Sequence, residues 1–110
     1  MKLEFRTDGT VLIAEISGEI DHHVAGSIRE KIDLKLATGV YNTFVFDFSK
    51  LDFMDSSGIA LIMGRVKYLD AVNGKVKILT DREQIIKIIK MSGIDKYVEI
   101  SGGNINGNLK

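Results

Sequence analysis

Phe44-Val45-Phe46 narrows most sharply what this chain can become, because a segment apolar on both faces of its pleat has to be covered by other elements. It reads as a central strand with helices on one or both sides. The neighbouring periodicities supply those covers. Upstream, Val24, Ile28, Ile32 and Leu36 form the apolar stripe of a first helix, which Asp21 is placed to cap and Thr38-Gly39 to end. Downstream, Ile59, Ile62, Met63, Val66 and Leu69 follow helical spacing, and Asn73-Gly74 offers a left-handed stop. Val76 and Ile78 between Lys75 and Lys77 then predict a strand with one wetter face.

The two ends of the chain extend this alternation. Leu3 and Phe5 alternate with Lys2, Glu4 and Arg6, and Asp8-Gly9 has the residue types of a tight hairpin turn. A second strand is expected over Val11–Ile16, broken by Ser17-Gly18-Glu19. Thr80-Asp81-Arg82-Glu83 has capping-box spacing, so a third helix is expected to start there and bury Ile85, Ile88 and Ile89 before Ser92-Gly93. A last strand is expected at Tyr97–Ile100. The order β-β-α-β-α-β-α-β implies an α/β fold, a mixed sheet with helices packed against it. Residues 1–100 read as one domain, and the Gly/Asn-rich residues 101–110 as a flexible tail.

Composition removes several classes of function. Fifteen Lys and Arg balance fifteen Asp and Glu, and a pI near 6.7 lacks the basic excess that phosphate-backbone binding needs, so nucleic acid is not an expected partner. Without cysteine there is no disulfide framework, thiol nucleophile or Cys-ligated zinc. Met1-Lys2-Leu3-Glu4 does not resemble a signal peptide, and the apolar run Ile59 to Met63 is too short to cross a bilayer; no membrane association and a cytoplasmic location are expected.

Chemistry is concentrated in Phe53-Met54-Asp55-Ser56-Ser57-Gly58, between the most buried strand and the most regular helix. An N-cap at Asp55 or Ser56 and a close backbone turn at Gly58 account for these residue types by themselves. A hydroxyl at a helix start has a further property. It faces unpaired N–H groups and the positive end of the helix dipole, so a phosphate is tolerated there at little cost to the fold. Such a group adds a charge of about −1.5 to −2, enough to reject a partner whose surface is acidic or cannot solvate it, and Asp55 would reinforce the repulsion.

Enzyme chemistry finds less support. A nucleophile elbow needs glycine two residues either side of its serine, which neither Ser56 nor Ser57 has. His22 and His23 are adjacent, so on a helix they diverge and cannot grip a metal as an i, i+4 pair would; a solvated helix start is expected for both. Phosphate-cradling glycine motifs are absent from the sequence. Asp47, Asp52 and Asp55 could suggest a receiver-type magnesium pocket, but the partner carboxylates Glu19 and Asp21 are separated, so Asp47 and Asp52 are expected in loops and turns. Ser49, Asp52 and Ser56 leave open a module that binds a nucleotide or other small ligand. No cofactor or metal site is expected.

Ser17-Gly18-Glu19-Ile20-Asp21-His22-His23, Leu51-Asp52-Phe53-Met54-Asp55-Ser56-Ser57-Gly58-Ile59, Gly64-Arg65 and Met91-Ser92-Gly93 resemble the bacterial anti-sigma factor antagonists, single STAS domains, and most closely their sporulation branch. The resemblance spans the chain to about Ile100. It implies a non-enzymatic transcription regulator that works by partner switching: the unphosphorylated form binds an anti-sigma factor that is also a serine kinase, and a sigma factor is released. Phosphorylation ends the binding and a PP2C-type phosphatase restores it. By the same resemblance the phosphorylated residue corresponds to Ser56. Asp55, Ser57 and Gly58 shape its surroundings, and Gly18, Glu19, Asp21 and His22 form the neighbouring partner surface. Family members commonly continue into a further C-terminal helix, for which Ser101 to Asn108 is a poor former.

Overall fold

Val11–Ile20 is one continuous strand, longer than the segment expected from the sequence, and its length organises the sheet. A computed structural model describes residues 1–102; the expectation of a flexible tail falls, from residue 103 on, outside the described residues. The elements are β1 (Lys2–Asp8), β2 (Val11–Ile20), α1 (Ala25–Ala37), β3 (Thr43–Asp47), β4 (Leu51–Met54), α2 (Ser56–Asp70), β5 (Lys75–Leu79), α3 (Glu83–Ser92), a short 3-10 turn at Ile94–Lys96, and β6 (Glu99–Ser101). The six-stranded sheet runs β1-β2-β3-β5-β6, with β4 paired to β2 beside that path. Among the described residues only the β1/β2 hairpin is antiparallel, so the α/β mixed sheet is as expected, with one strand more than expected.

Two residues explain why β2 does not stop at Ser17. Gly18 adopts φ 92, a conformation that L side chains rarely take, and the register shifts between Gly18 and Glu19. The strand bends there instead of ending, as at a bulge. Its first half pairs with β3 (Leu12 with Phe44, Ala14 with Phe46) and its last residues pair with β4 (Glu19 with Phe53, Ile20 with Met54). The stretch after β3, expected as a plain connection, therefore contains a strand.

Successive parallel crossovers advance across the sheet in one direction, which places the helices on a single face. The core lies there. Leu12, Ala14, Ile16, Phe44, Phe46, Val76 and Ile78 pack with Ile28, Ile32 and Leu36 of α1, Leu61, Ile62 and Leu69 of α2, and Ile85 and Ile89 of α3. Phe44 and Phe46 meet edge to face with ring centroids 4.7 Å apart, and Phe48 extends the stack at 5.3 Å. Among the described residues no helix is long and apolar enough to cross a membrane.

Several boundaries differ from their sequence signals for local reasons. The hairpin loop is Gly9-Thr10, since Asp8 still pairs with Val11 and Gly9 takes the positive φ of 61. Asp21 caps a turn ahead of α1, accepting from the N–H groups of His23 (2.9 Å) and Val24 (3.3 Å), while the helix proper begins at Ala25. Thr80 is buried at the end of β5 and its hydroxyl accepts from Arg82 N–H (3.1 Å), so α3 starts only at Glu83, and without a side-chain cap. Tyr97 closes the 3-10 turn and is exposed, which delays β6 to Glu99.

Candidate functional site

Parallel pairing of β2 with β4 joins two stretches far apart in the chain at one end of the sheet. Gly18 N–H donates to Lys50 O (3.2 Å) and Asp55 N–H donates to Ile20 O (3.1 Å), so the turn after β2 and the start of α2 share an edge. Gly18 lies in the bend, and Glu19 is exposed on the last turn of the strand. Asp21 is half-buried. Its slight burial raises its carboxyl, but the N–H bonds from His23 and Val24, with the neighbouring His23 ring 3.7 Å away, outweigh this and hold it below the ordinary carboxylate value. His22 and His23 are both exposed, as expected, but they precede the helix rather than lying on it, and their rings sit 4.0 Å apart instead of diverging. Among the described residues no three potential ligands form a group that could hold a metal ion.

On the other side of the edge, Asp55 is the N-cap of α2. Extended backbone at φ −101 and ψ −168 lets Oδ1 accept from Ser57 N–H at 2.8 Å, while its carbonyl accepts from Gly58 N–H at 2.9 Å. Ser56 is thus the first residue of the helix without being its cap, and it is exposed. Ser57 is half-buried and lines a hollow of about 180 Å³ between α1 and α2, with Arg29 on its far wall. Gly58 is buried, and a Cβ there would run into Cγ and Sδ of Met54.

Asp47 and Asp52, expected in loops and turns, are instead strand residues. Asp47 ends β3, is buried, and accepts from the backbone N–H (3.0 Å) and hydroxyl (2.6 Å) of Ser49; Arg6 stands 3.9 Å away. Asp52 lies in β4 and pairs with Arg82 at 2.9 Å. Both carboxylates are committed to local structure.

Ser56 also forms one wall of an apolar groove of about 450 Å³ between α2 and α3, with Ile59, Ala60, Met63, Ile88, Met91 and Ile94. Helical spacing placed Ile59, Met63 and Ile88 in the core. They are only half-buried, packed against the edge of the core and lining this groove, whereas Ile85 and Ile89 of α3 are fully inside.

The STAS domain family matches residues 2–106. An anti-sigma F factor antagonist from Lysinibacillus sphaericus is 36% identical over 97 residues, covering 88% of this chain and 82% of that protein. Its counterpart from Paenibacillus polymyxa is 29% identical over 106 residues, covering 96% and 91%. The solved structure of the unphosphorylated anti-sigma factor antagonist SpoIIAA superposes with a TM-score of 0.80 at 30% identity, covering 90% of this chain and 87% of that one. This chain belongs to the STAS family, among its single-domain anti-sigma factor antagonists.

The structure of the phosphorylated form of SpoIIAA from Bacillus is similar too, with a TM-score of 0.72 at 30% identity and 90% of each chain covered. In this STAS domain the residues singled out from the sequence, Gly18, Glu19, Asp21, His22, Asp55, Ser56, Ser57 and Gly58, all fall at one end of the sheet. Two exposed apolar side chains stand near them, Phe53 at 49% and Met91 at 78%; both lie in stretches that carry the resemblance, but their exposure was not read from the sequence.

Proposed function

We propose that this antagonist binds, in its unphosphorylated form, an anti-sigma factor that is also a serine kinase, so that a sigma factor is released in the cytoplasm. Phosphorylation of Ser56 ends the binding and a PP2C-type phosphatase restores it. The chain is itself substrate and ligand, not enzyme. One observation carries the reading: Ser56 is exposed at the first position of α2, while the capping bond is made by Asp55. A phosphoryl group on Oγ can therefore be added without breaking the helix cap, and it meets the positive end of the helix dipole. Membership among the antagonists supports the choice of partner, and the existence of a phosphorylated SpoIIAA structure supports the choice of modification.

In this reading Gly18, Glu19, Asp21 and His22 present one lip of the docking surface and Asp55 and Ser57 the other, while the buried Gly58 shapes the backbone beneath Ser56. The new charge of about −1.5 to −2 stands beside Glu19, Asp21 and Asp55 and is rejected by a partner surface that is acidic or cannot solvate it.

The test is incubation with the anti-sigma F factor and ATP, followed by mass spectrometric mapping. Phosphate is expected on Ser56; phosphate elsewhere overturns the assignment. Ser56→Ala is expected to bind the anti-sigma factor and resist modification. Ser56→Asp is expected to bind at least about tenfold more weakly, roughly 1.4 kcal/mol, with unchanged thermal unfolding.

A further inference from the structure

Strand β1 is an edge of the sheet: β2 pairs with it on one side and, among the described residues, nothing pairs with it on the other. Its seven residues hold no proline and no bulge, devices that commonly blunt such an edge, whereas β6 at the opposite edge is only three residues long. The hairpin decides which groups the edge offers. A two-residue loop closes on a hydrogen-bonded pair, here Asp8 with Val11, and bonded pairs alternate along an antiparallel ladder. Lys2, Glu4, Arg6 and Asp8 therefore direct their backbone groups to β2, and the N–H and C=O groups of Leu3, Phe5 and Thr7 point outward.

We infer that the β1 edge pairs with the β1 edge of a second copy of this chain, antiparallel about a twofold axis at Phe5, so that the two sheets join into one. Only alternate residues carry free backbone groups, so the registers open to two such edges differ in steps of two. With the axis at Phe5, the outward groups of Leu3 meet those of Thr7, and Phe5 meets its own copy. Between them, where side chains approach most closely, Glu4 stands opposite Arg6 and Lys2 opposite Asp8, each contact occurring twice by symmetry. With the axis at Glu4 instead, Glu4 opposes itself and Lys2 opposes Arg6; with the axis at Arg6, Arg6 opposes itself and Glu4 opposes Asp8. Like charges thus disfavour both neighbouring registers, and the order of charges along β1 selects one. Glu4 also gains what its own hairpin lacks: it lies across from Glu15 on β2, and the cation beside it is Lys2 of the same strand, 3.7 Å away.

On the other face, Leu3 and Phe5 are half-buried at the margin of the core and continue the apolar layer across the axis. Lys35 lies 5.6 Å above the Phe5 ring, so the pairing also brings two ammonium groups to one side of the joined sheet. The association is therefore weak, with a Kd on the order of 10–100 μM. The axis reverses the strand direction, so the Ser56 ends of the two copies point away from each other and both stay open. The inference is independent of the function proposed above.

The experiment is sedimentation equilibrium of the unphosphorylated chain from about 5 μM to about 1 mM, with amide hydrogen exchange read by NMR at both ends of that range. A monomer–dimer equilibrium is expected, and the amides of Leu3, Phe5 and Thr7 are expected to exchange more slowly at the higher concentration, a readout that needs no variant. Glu4→Lys places like charges opposite Arg6 at both symmetry-related positions and is expected to raise the dimer Kd at least about tenfold; Arg6→Glu does the same opposite Glu4. An equimolar mixture of the two variants restores opposite charges and is expected to associate within about threefold of wild type. Arg6 also lies 3.9 Å from the buried Asp47, so Lys2→Glu and Asp8→Lys, both at exposed positions, form a second mixing pair with the same expectation. Thr7→Pro removes an outward donor while leaving the β1/β2 bonds in place, and is expected to weaken association with an unchanged Tm. A chain that stays monomeric at the highest concentration, a dimer in which those three amides exchange as fast as in the monomer, or variant pairs whose mixing restores nothing overturns the inference.

Discussion

At Gly58 the backbone passes so close to Met54 that even a methyl group meets the Met54 side chain. Two effects compete there. Alanine is about 1 kcal/mol better than glycine inside a helix, while forcing a methyl into a filled space costs about 1–3 kcal/mol. Because the obstruction includes Cγ of Met54 and not merely a flexible tip, overpacking wins, and Gly58→Ala is expected to destabilise the protein in urea titrations. In a Met54→Ala background the same change is expected to become neutral or stabilising, because the obstructing atoms are gone and propensity alone remains. A penalty unchanged in that background would locate the strain elsewhere. Gly18 is constrained for another reason: its φ of 92 is costly for any side chain, and a Cβ there would lie 3.2 Å from Met1 Cα.

Along α2, helical spacing gives an apolar stripe that the packing honours only in part. Ile62 and Leu69 enter the core, Ile59 and Met63 line the groove, and Arg65 is 7% exposed against α1. Its Nε lies 3.1 Å from Asp33 Oδ1, but the contact lacks hydrogen-bonding geometry: Nε, Nη1 and Oδ1 are buried without hydrogen-bond partners among the described residues. Burial, with Arg29 nearby, lowers the guanidinium from its ordinary value, and Asp33 opposes this. The pair therefore pays desolvation with little directed bonding in return. Arg65→Met is expected to leave stability within about 1 kcal/mol of wild type or raise it. Asp33→Ala, which strands the buried cation, is expected to lose about 1–3 kcal/mol. Chemical denaturation of the two variants checks this, and equal losses would mean that Arg65 contributes mainly through its charge.

Over the whole molecule, stability resides in the face of the sheet that the helices cover. Phe46 lies at 0% exposure between Phe44 and Phe48, so Phe46→Ala is expected to cost about 3–5 kcal/mol, whereas Phe53→Ala, at the half-exposed end of the sheet, is expected to cost much less. Thermal melts of the two variants rank them. The proposed site sits at the periphery of that core, where in the proposed function a change of charge alters docking without unfolding the scaffold.

Phe44-Val45-Phe46, the four-residue recurrence from Val24 to Leu36 and the alternation of β1 were legible in the sequence because each depends on residues within one turn or one pleat of each other. So was the small polar cluster Asp55 to Gly58, whose residue types suit a helix start whatever surrounds it. The pairing of β2 with β4 was not, because it joins Gly18–Ile20 to Leu51–Met54 across an intervening helix and strand, and a glycine that reads locally as a stop serves there as a bend. Burial of Arg65 and exposure of Met91 were decided at the same level: a helix presents every side of itself to its sequence, and only the neighbours that pack against it determine which side is covered.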